Sequence, residues 1–360
     1  MERYDIVIVG AGMAGASLGA ALAGAARVLV IEAEDTPGYH ATGRSAAFWT
    51  ESYGGAAIQP LTTASGPFLR EHGLLTPRRA LTLAHSSQAD EIDGFVARFA
   101  ALGVRVALLE RPALEALVPG LREDWTLGAL EPDCSDIDVA GLHQHYLADL
   151  RRAGGELACR ARLTEARREA DGWRLTLADG RALVADMLVN AAGAWADAVA
   201  ELAGVRPLGI APYRRTIAQV HTTPAAPADL PLVLDLGEQF YFKSEAGRLW
   251  LSPHDETPSP PCDAAPEQID VATAIARFEA VVDWRVDRVE HAWAGLRSFA
   301  PDRLPVYGFA ADQRGFFWFA GQGGFGIQTA PAAASLATDL ILRRSGGPVD
   351  PAPYSPARFA

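Results

Sequence analysis

Lysine is nearly absent from this chain: Lys243 is the only one among 360 residues. Formal charge is −12, so the surface is acidic. That excludes nucleic acid and anionic membrane as expected partners, because both need a basic face. Only three cysteines occur, Cys134, Cys159 and Cys262, widely spaced and odd in number. They give no disulfide framework and no zinc-like spacing, and they fit a reducing compartment. No apolar run approaches the ~20 residues of a membrane span, so no integral membrane segment is expected. The apolar N-terminus superficially resembles a secretion signal, but glycines of fixed spacing follow at once. A cytoplasmic location is therefore expected. Internal repeats and long low-complexity segments are also missing.

What is present begins at Tyr4. Tyr4-Asp5-Ile6-Val7-Ile8-Val9 is a continuous β-branched run, as in a strand buried on both faces. Gly10-Ala11-Gly12-Met13-Ala14-Gly15 follows, then small helix-forming residues from Ala16 to Ala26. A second buried strand, Arg27-Val28-Leu29-Val30-Ile31, ends at Glu32. The order is strand, G-x-G-x-x-G, helix, strand, acid, which is the dinucleotide-binding fingerprint. Gly10 permits the tight turn, Gly12 lets the backbone approach a pyrophosphate, and Gly15 lets the helix pack on the strand. The helix N-terminus offers N–H groups and a positive dipole to phosphate. Glu32 can accept both ribose hydroxyls.

The fingerprint alone does not separate NAD from FAD. Three further segments favour FAD. Gly38 to Ala47 is rich in small and hydroxylated residues, and Arg44 and Ser45 could contact phosphate or the flavin edge. Ala185 to Trp195 reads as a strand ending in small residues, suited to a backbone passing close to a cofactor. Gly315 to Phe319 is an aromatic strand running into the glycine-rich loop Gly321 to Gln328. A helix from about Ile327 to Leu342 is predicted to follow. Its N-terminus would stabilise negative charge on a reduced flavin.

Between these lie segments of different character. Residues 46–136 mix helices and short strands, with a helix predicted around Gln88 to Leu102. Residues 206–294 carry alternating strands at Thr216–Val220, Gln239–Lys243 and Arg248–Leu251. A Pro-rich loop and a helix from about Glu267 to Val282 follow. Residues 1–45, 137–205 and 295–360 are thus expected to form the cofactor-binding domain, and 46–136 and 206–294 the substrate domain.

Taken together, these motifs resemble the D-amino-acid oxidase superfamily of FAD enzymes over essentially the whole chain. The bacterial D-arginine dehydrogenase type is the nearest pattern. It is carried by Pro37 to Ala47, Ala203 to Gly209, Trp293-Ala294-Gly295-Leu296-Arg297-Ser298-Phe299, and Gln322 to Thr329. The resemblance implies a glutathione-reductase-like Rossmann α/β domain for FAD, interleaved with an α+β substrate domain holding a mostly antiparallel sheet. It implies non-covalent FAD and oxidation of an amino acid to an imino acid. Hydrolysis would then give a 2-oxo acid and ammonia, with oxygen or a quinone as electron acceptor.

By motif match, Arg297 and Arg214 would hold the substrate carboxylate, with Tyr241 and Tyr53 as hydroxyl donors. Arginine suits this task because its planar fork makes two parallel charge-assisted bonds. The sequence does not say whether Arg214 or Arg215 points inward; the motif register selects Arg214. Cofactor contacts would come from Gly10, Gly12, Gly15, Glu32, Arg44, Ser45, Leu163, Ala192, Gly193, Trp195, Arg297, Gly323, Gly324, Gly326, Ile327 and Gln328.

The chain departs from the arginine-preferring pattern at two places. Phe48 stands where a histidine is expected, and Arg79-Ala80 where a carboxylate is expected. A guanidinium substrate in a closed pocket needs an anionic partner. A neutral or hydrophobic D-amino acid therefore fits better, with an N-alkyl amino acid or a 2-hydroxy acid as alternatives. Lys243 shares a strand face with Tyr241. It is read as a solvent-facing lysine, although a lysine near the flavin could assist oxygen activation. His143 and His145 are read as packing or surface residues.

Overall fold

The computed structural model describes residues 2–359. Its first strand, Glu2–Val9, lies between two parallel neighbours, Val28–Ile31 and Ala182–Asn190. Inner positions Val7, Ile8, Val28 and Val30 are fully buried, which explains the unbroken apolar runs. These strands belong to an eight-stranded sheet that continues through Glu156–Ala158 on one side and Gly172–Leu177 and Leu163–Glu169 on the other. The strand Ala182–Asn190 shares one edge between two partners. Its first half pairs antiparallel with Gly172–Leu177, and its last three residues pair parallel with Phe316–Ala320.

The fingerprint helix, Met13–Ala23, packs against the helices Val139–Arg152 and Ala330–Leu342. Close approach is possible because the facing residues are small. Added methyls on Gly19 and Gly15 would lie 2.8 Å from a Val30 methyl and 1.8 Å from the Gly10 carbonyl oxygen. The last helix begins at Ala330, three residues later than predicted, with Pro331 in its first turn. Proline is tolerated there because first-turn N–H groups have no intrahelical partner. Gly321 to Thr329 is thereby left as a longer loop.

A second, ten-stranded sheet gathers strands from three separate stretches of chain. Its spine is the antiparallel pair Ala211–Thr223 and Arg285–Phe299, joined over almost their full length. Arg248–Ser252, Tyr241–Glu245 and Leu232–Asp235 follow, and then Ala80–His85 adds in parallel. Arg285–Phe299 crosses the expected boundary at residue 294 without a break and pairs at its end with Gln322–Gly323. A small three-stranded sheet, Phe48–Trp49, Ser135–Ile137 and Leu75–Pro77, closes one side. Among the described residues no helix is long and apolar enough to cross a membrane.

Candidate active site

A cavity of about 410 Å³ begins at the fingerprint and runs to the loop after Phe316–Ala320. At its near end stand Gly10, Gly12, Met13 and Glu32; at its far end, Arg297, Gly323, Gly324, Gly326 and Ile327. Ser45, Leu163, Ala192, Gly193 and Trp195 line its walls.

The near end is shaped by backbone constraints. Gly10 adopts φ +100°, and a Cβ there would lie 2.6 Å from the Ala191 carbonyl oxygen. Gly15 does not line the cavity; it is the contact between helix and turn. Glu32 takes hydrogen bonds from the backbone N–H groups of Ala11 (2.7 Å) and Glu34 (3.0 Å), which fix its carboxylate at the cavity edge. His143, read as a packing or surface residue, is buried, and its ring nitrogen sits 2.9 Å from the Ala11 carbonyl.

Arg44 lines the cavity, but its guanidinium is engaged by protein. It pairs with Asp263 and donates to the carbonyls of Ala264 (2.5 Å) and Ala294 (3.2 Å). Tyr39 also donates to Asp263 (3.0 Å). This residue therefore fastens the 262–264 strap across the cavity, and its donors are not turned to a phosphate. Ser45 accepts from the Ala47 N–H at 3.2 Å. Gln328 lies away from the large cavity. Its side chain donates to the Tyr53 carbonyl (3.2 Å) and to Thr62 Oγ1 (2.9 Å).

Beyond Arg297 lies a second, far smaller compartment of about 20 Å³. Phe48, Tyr53, Arg215, Tyr241, Arg297 and Gly324 are among its walls. Arg297 and Gly324 border both spaces and mark their junction.

Here the structure corrects the choice of Arg214. Cross-strand register sets Tyr213 opposite Arg297, Arg214 opposite Leu296 and Arg215 opposite Gly295. Strand alternation therefore puts Arg215 on the face of Arg297 and Arg214 on the other. Arg214 is held there by Asp270 (2.9 Å) and Glu267, from the helix Gln268–Glu279 and its cap. Arg215 is buried, donating to the Asp255 carbonyl (2.8 Å) and Glu256 (3.1 Å).

Lys243 is also corrected. It is 3 % exposed rather than solvent-facing, and bonds Asp136 (2.7 Å) and Glu245 (3.0 Å) above the Trp250 ring. Burying its stem beside two carboxylates satisfies the charge. It borders neither compartment.

Arg297 differs from both other arginines. It is 8 % exposed, yet among the described residues it makes no ion pair and no side-chain hydrogen bond. Burial, with Arg215 close by, pushes its pKa down. A buried cation without a partner is costly by several kcal/mol unless a ligand supplies the counter-charge.

Two residues missed by the sequence reading complete the site. His254 packs its ring against Tyr53 and Tyr241, and its Nε2 lies 3.4 Å from the Tyr53 hydroxyl. Burial, and then the positive Arg215, depress its pKa to about 3. Glu131 is buried and accepts four hydrogen bonds, from Thr50 Oγ1, Glu51 N, and both Ser52 N and Oγ. It folds the turn that presents Tyr53. The only sequence signals were polar residues placed just beyond strand ends. Burial pushes the Tyr53 pKa up, so its hydroxyl stays protonated.

A profile of the FAD dependent oxidoreductase family, DAO, matches residues 5–340. The chain belongs to that family. FAD is accordingly its cofactor, and the cradle around Gly10 and Gly12, the Glu32 carboxylate and the length of the cavity fit such a dinucleotide.

Among curated relatives, the hydrogen cyanide synthase subunit HcnC of Pseudomonas aeruginosa is 26 % identical, covering 81 % of this chain and 70 % of that one. Mouse mitochondrial dimethylglycine dehydrogenase is 26 % identical over 95 % of this chain, which spans only 42 % of that protein. Among solved structures, glycine oxidase from Geobacillus kaustophilus superposes with TM-score 0.85 at 24 % identity, covering 99 % of this chain and 98 % of that one. L-proline dehydrogenase from P. horikoshii gives 0.87 at 20 %, with the same coverages. Both likenesses bear on the fold. The chain is an FAD-dependent oxidoreductase.

Proposed function

We propose that this protein oxidises a small neutral or hydrophobic D-amino acid to an imino acid, which water then hydrolyses to a 2-oxo acid and ammonia. The observation that carries this reading is the unpaired, buried Arg297 guanidinium at the junction of the two compartments. It asks for an anion exactly where a substrate would meet the cofactor. Arg215 on the same sheet face keeps Nη1 free, its Nε and Nη2 being held by Asp255 and Glu256, so it adds a second positive charge beside the carboxylate that Arg297 grips.

FAD, when bound, supplies the two-electron acceptor for the hydride leaving the substrate α-carbon. The chain's own residues orient the substrate and exclude water. The two arginines fix the carboxylate, and hence the direction of the α-hydrogen. Phe48, Tyr53 and Tyr241 wall in the side chain. The small volume beyond Arg297 favours small side chains, and no carboxylate borders it to receive a guanidinium. Preference for the D-isomer rests on the resemblance alone. With Lys243 tied into ion pairs outside both spaces, a quinone or another acceptor is favoured over oxygen.

We also take residues 1–45, 137–205 and 295–360 as the cofactor-binding half and 46–136 and 206–294 as the substrate half. The division of strands between the two large sheets supports this, save that Arg285–Phe299 and Gln322–Gly323 carry the second sheet past residue 294.

The test is anaerobic mixing with D- and L-amino acids, N-methyl amino acids and 2-hydroxy acids, following bleaching of the flavin band. Small neutral D-amino acids are expected to bleach it. Arg297→Ala is expected to lose roughly 10²-fold or more in kcat/KM, as one or two charge-assisted bonds of ~1.5–3 kcal/mol disappear. Bleaching by N-methyl amino acids alone moves the substrate to the N-alkyl class, to which the dimethylglycine dehydrogenase relative points. Bleaching by 2-hydroxy acids alone overturns the amine reading.

A further inference from the structure

The hydrogen-bond logic around His254 fixes which way the Tyr53 hydroxyl points. His254 Nδ1 lies 2.6 Å from the Glu238 carbonyl oxygen. A carbonyl only accepts, so Nδ1 carries the ring proton and Nε2 is bare. The Tyr53 hydroxyl, 3.4 Å from Nε2, is the donor of that pair. Such contacts are often long before ligands bind and tighten in the complex.

The Tyr53 oxygen then has only lone pairs left to offer. It sits at the seam of the two compartments: a Cβ built on Gly324 would lie 3.1 Å from it. The groups facing His254 are the tyrosines, at ring distances of 6.3 and 5.7 Å, and the cations Arg215, Arg297 and Arg303. None of these can take a proton from it, and the nearby cations keep the ring neutral. His254 itself holds a left-handed backbone, φ +51°, uncommon outside glycine although histidine is among the residues that adopt it.

We propose that His254 is a positioning residue: it draws the Tyr53 hydroxyl proton away from the pocket, so that the Tyr53 oxygen accepts a hydrogen bond from the substrate's amino group. This rests on the amino-acid reading above and revises the expectation that Tyr53 donates to the carboxylate. On that reading the carboxylate is met by the Arg297 fork and by the free Nη1 of Arg215. The amine is the group still lacking a partner, and no acidic side chain borders the smaller compartment. An acceptor at Gly324 therefore completes the recognition of an α-amino acid.

The experiment uses the FAD-loaded protein. Nitrogen-15 histidine NMR, with His254→Gln identifying the signal, is expected to show the Nδ1–H tautomer at position 254. An Nε2–H tautomer overturns the proposal whatever the substrate. Propionate, a carboxylate without nitrogen, is then compared with the best amino acid of the panel. His254→Leu is expected to weaken the amino acid about tenfold, a single hydrogen bond's worth, while propionate changes less than twofold. His254→Gln, whose amide oxygen can accept from Tyr53, is expected to recover most of the loss. Equal weakening of both ligands, or no weakening of either, overturns the proposal. Failure of every amine to reduce the wild-type flavin overturns the amino-acid reading, and the amine assignment with it, while the tautomer result stands separately.

Discussion

Arg214 and Arg215 are neighbours in the chain and face opposite ways. Nothing in their own identities separates them; the difference lies in the register of Ala211–Thr223 against Arg285–Phe299, where Arg215 meets Gly295. Period-two alternation was legible in the sequence, but which parity faces the pocket depends on a partner strand some 80 residues away. The consequence is testable by kinetics. Arg215→Ala is expected to raise KM and lower kcat/KM by about 10- to 100-fold, through a lost charge-assisted bond of ~1.5–3 kcal/mol. Arg214→Ala is expected to leave kcat/KM within about twofold. Its cost falls on stability, because Asp270 is left part-buried without its cation. The reverse ranking would restore Arg214 to the clamp. Lys243 carries the same lesson: its strand face was readable, whereas the two carboxylates that bury it come from Asp136, on another sheet, and Glu245.

At the scale of elements, the fingerprint was the most legible part of the molecule, because each glycine there answers a local steric demand. Gly15 has the tightest one, with a Cβ position 1.8 Å from the Gly10 oxygen. Gly24, at the end of the same helix, meets nothing within 4 Å and has ordinary helical φ. Gly15→Ala is therefore expected to push the helix off the turn and lower the flavin-to-protein absorbance ratio at least severalfold, or to abolish soluble expression. Gly24→Ala is expected to retain full flavin and to gain up to about 1 kcal/mol, since alanine loses less chain entropy. Thermal melts and absorbance spectra of the two variants decide it; equal behaviour would refute the packing argument. The final helix was legible in existence but not in its start. Local propensity allowed helix from Ile327, while the loop must stay open to border the cavity and Pro331 suits a first turn.

Across the whole molecule, two parts of the large cavity's wall are tied by a contact no sequence pattern announced. Arg44 and Asp263 lie 219 residues apart, yet they tie the 262–264 strap to the segment before the first strand of the small sheet. The ion pair alone is exposed on the Asp263 side and contributes little. The two backbone carbonyls that Arg44 also holds matter more, because each would lose its donor. Arg44→Ala is expected to speed FAD release by roughly tenfold, from ~1–3 kcal/mol of lost hydrogen bonding, and Asp263→Ala by less than about threefold. Flavin fluorescence on dilution measures both rates. Equal rates in wild type and Arg44→Ala would show that the strap does not retain the cofactor.

The long antiparallel ribbon that carries Arg215 and Arg297 has a consequence for how this scaffold diversifies. Both arginines ride on one antiparallel pair of strands, so the relative placement of their backbones is set by the register of that pair. The remaining surface is assembled from Phe48 and Tyr53, on one short stretch, and Tyr241, on another strand. It resembles a vice with one fixed jaw and one replaceable jaw. Divergence in what is gripped is free to accumulate in the second without recalibrating the first, and Phe48, which packs on Tyr53 and Tyr241, is one position where the opening can widen.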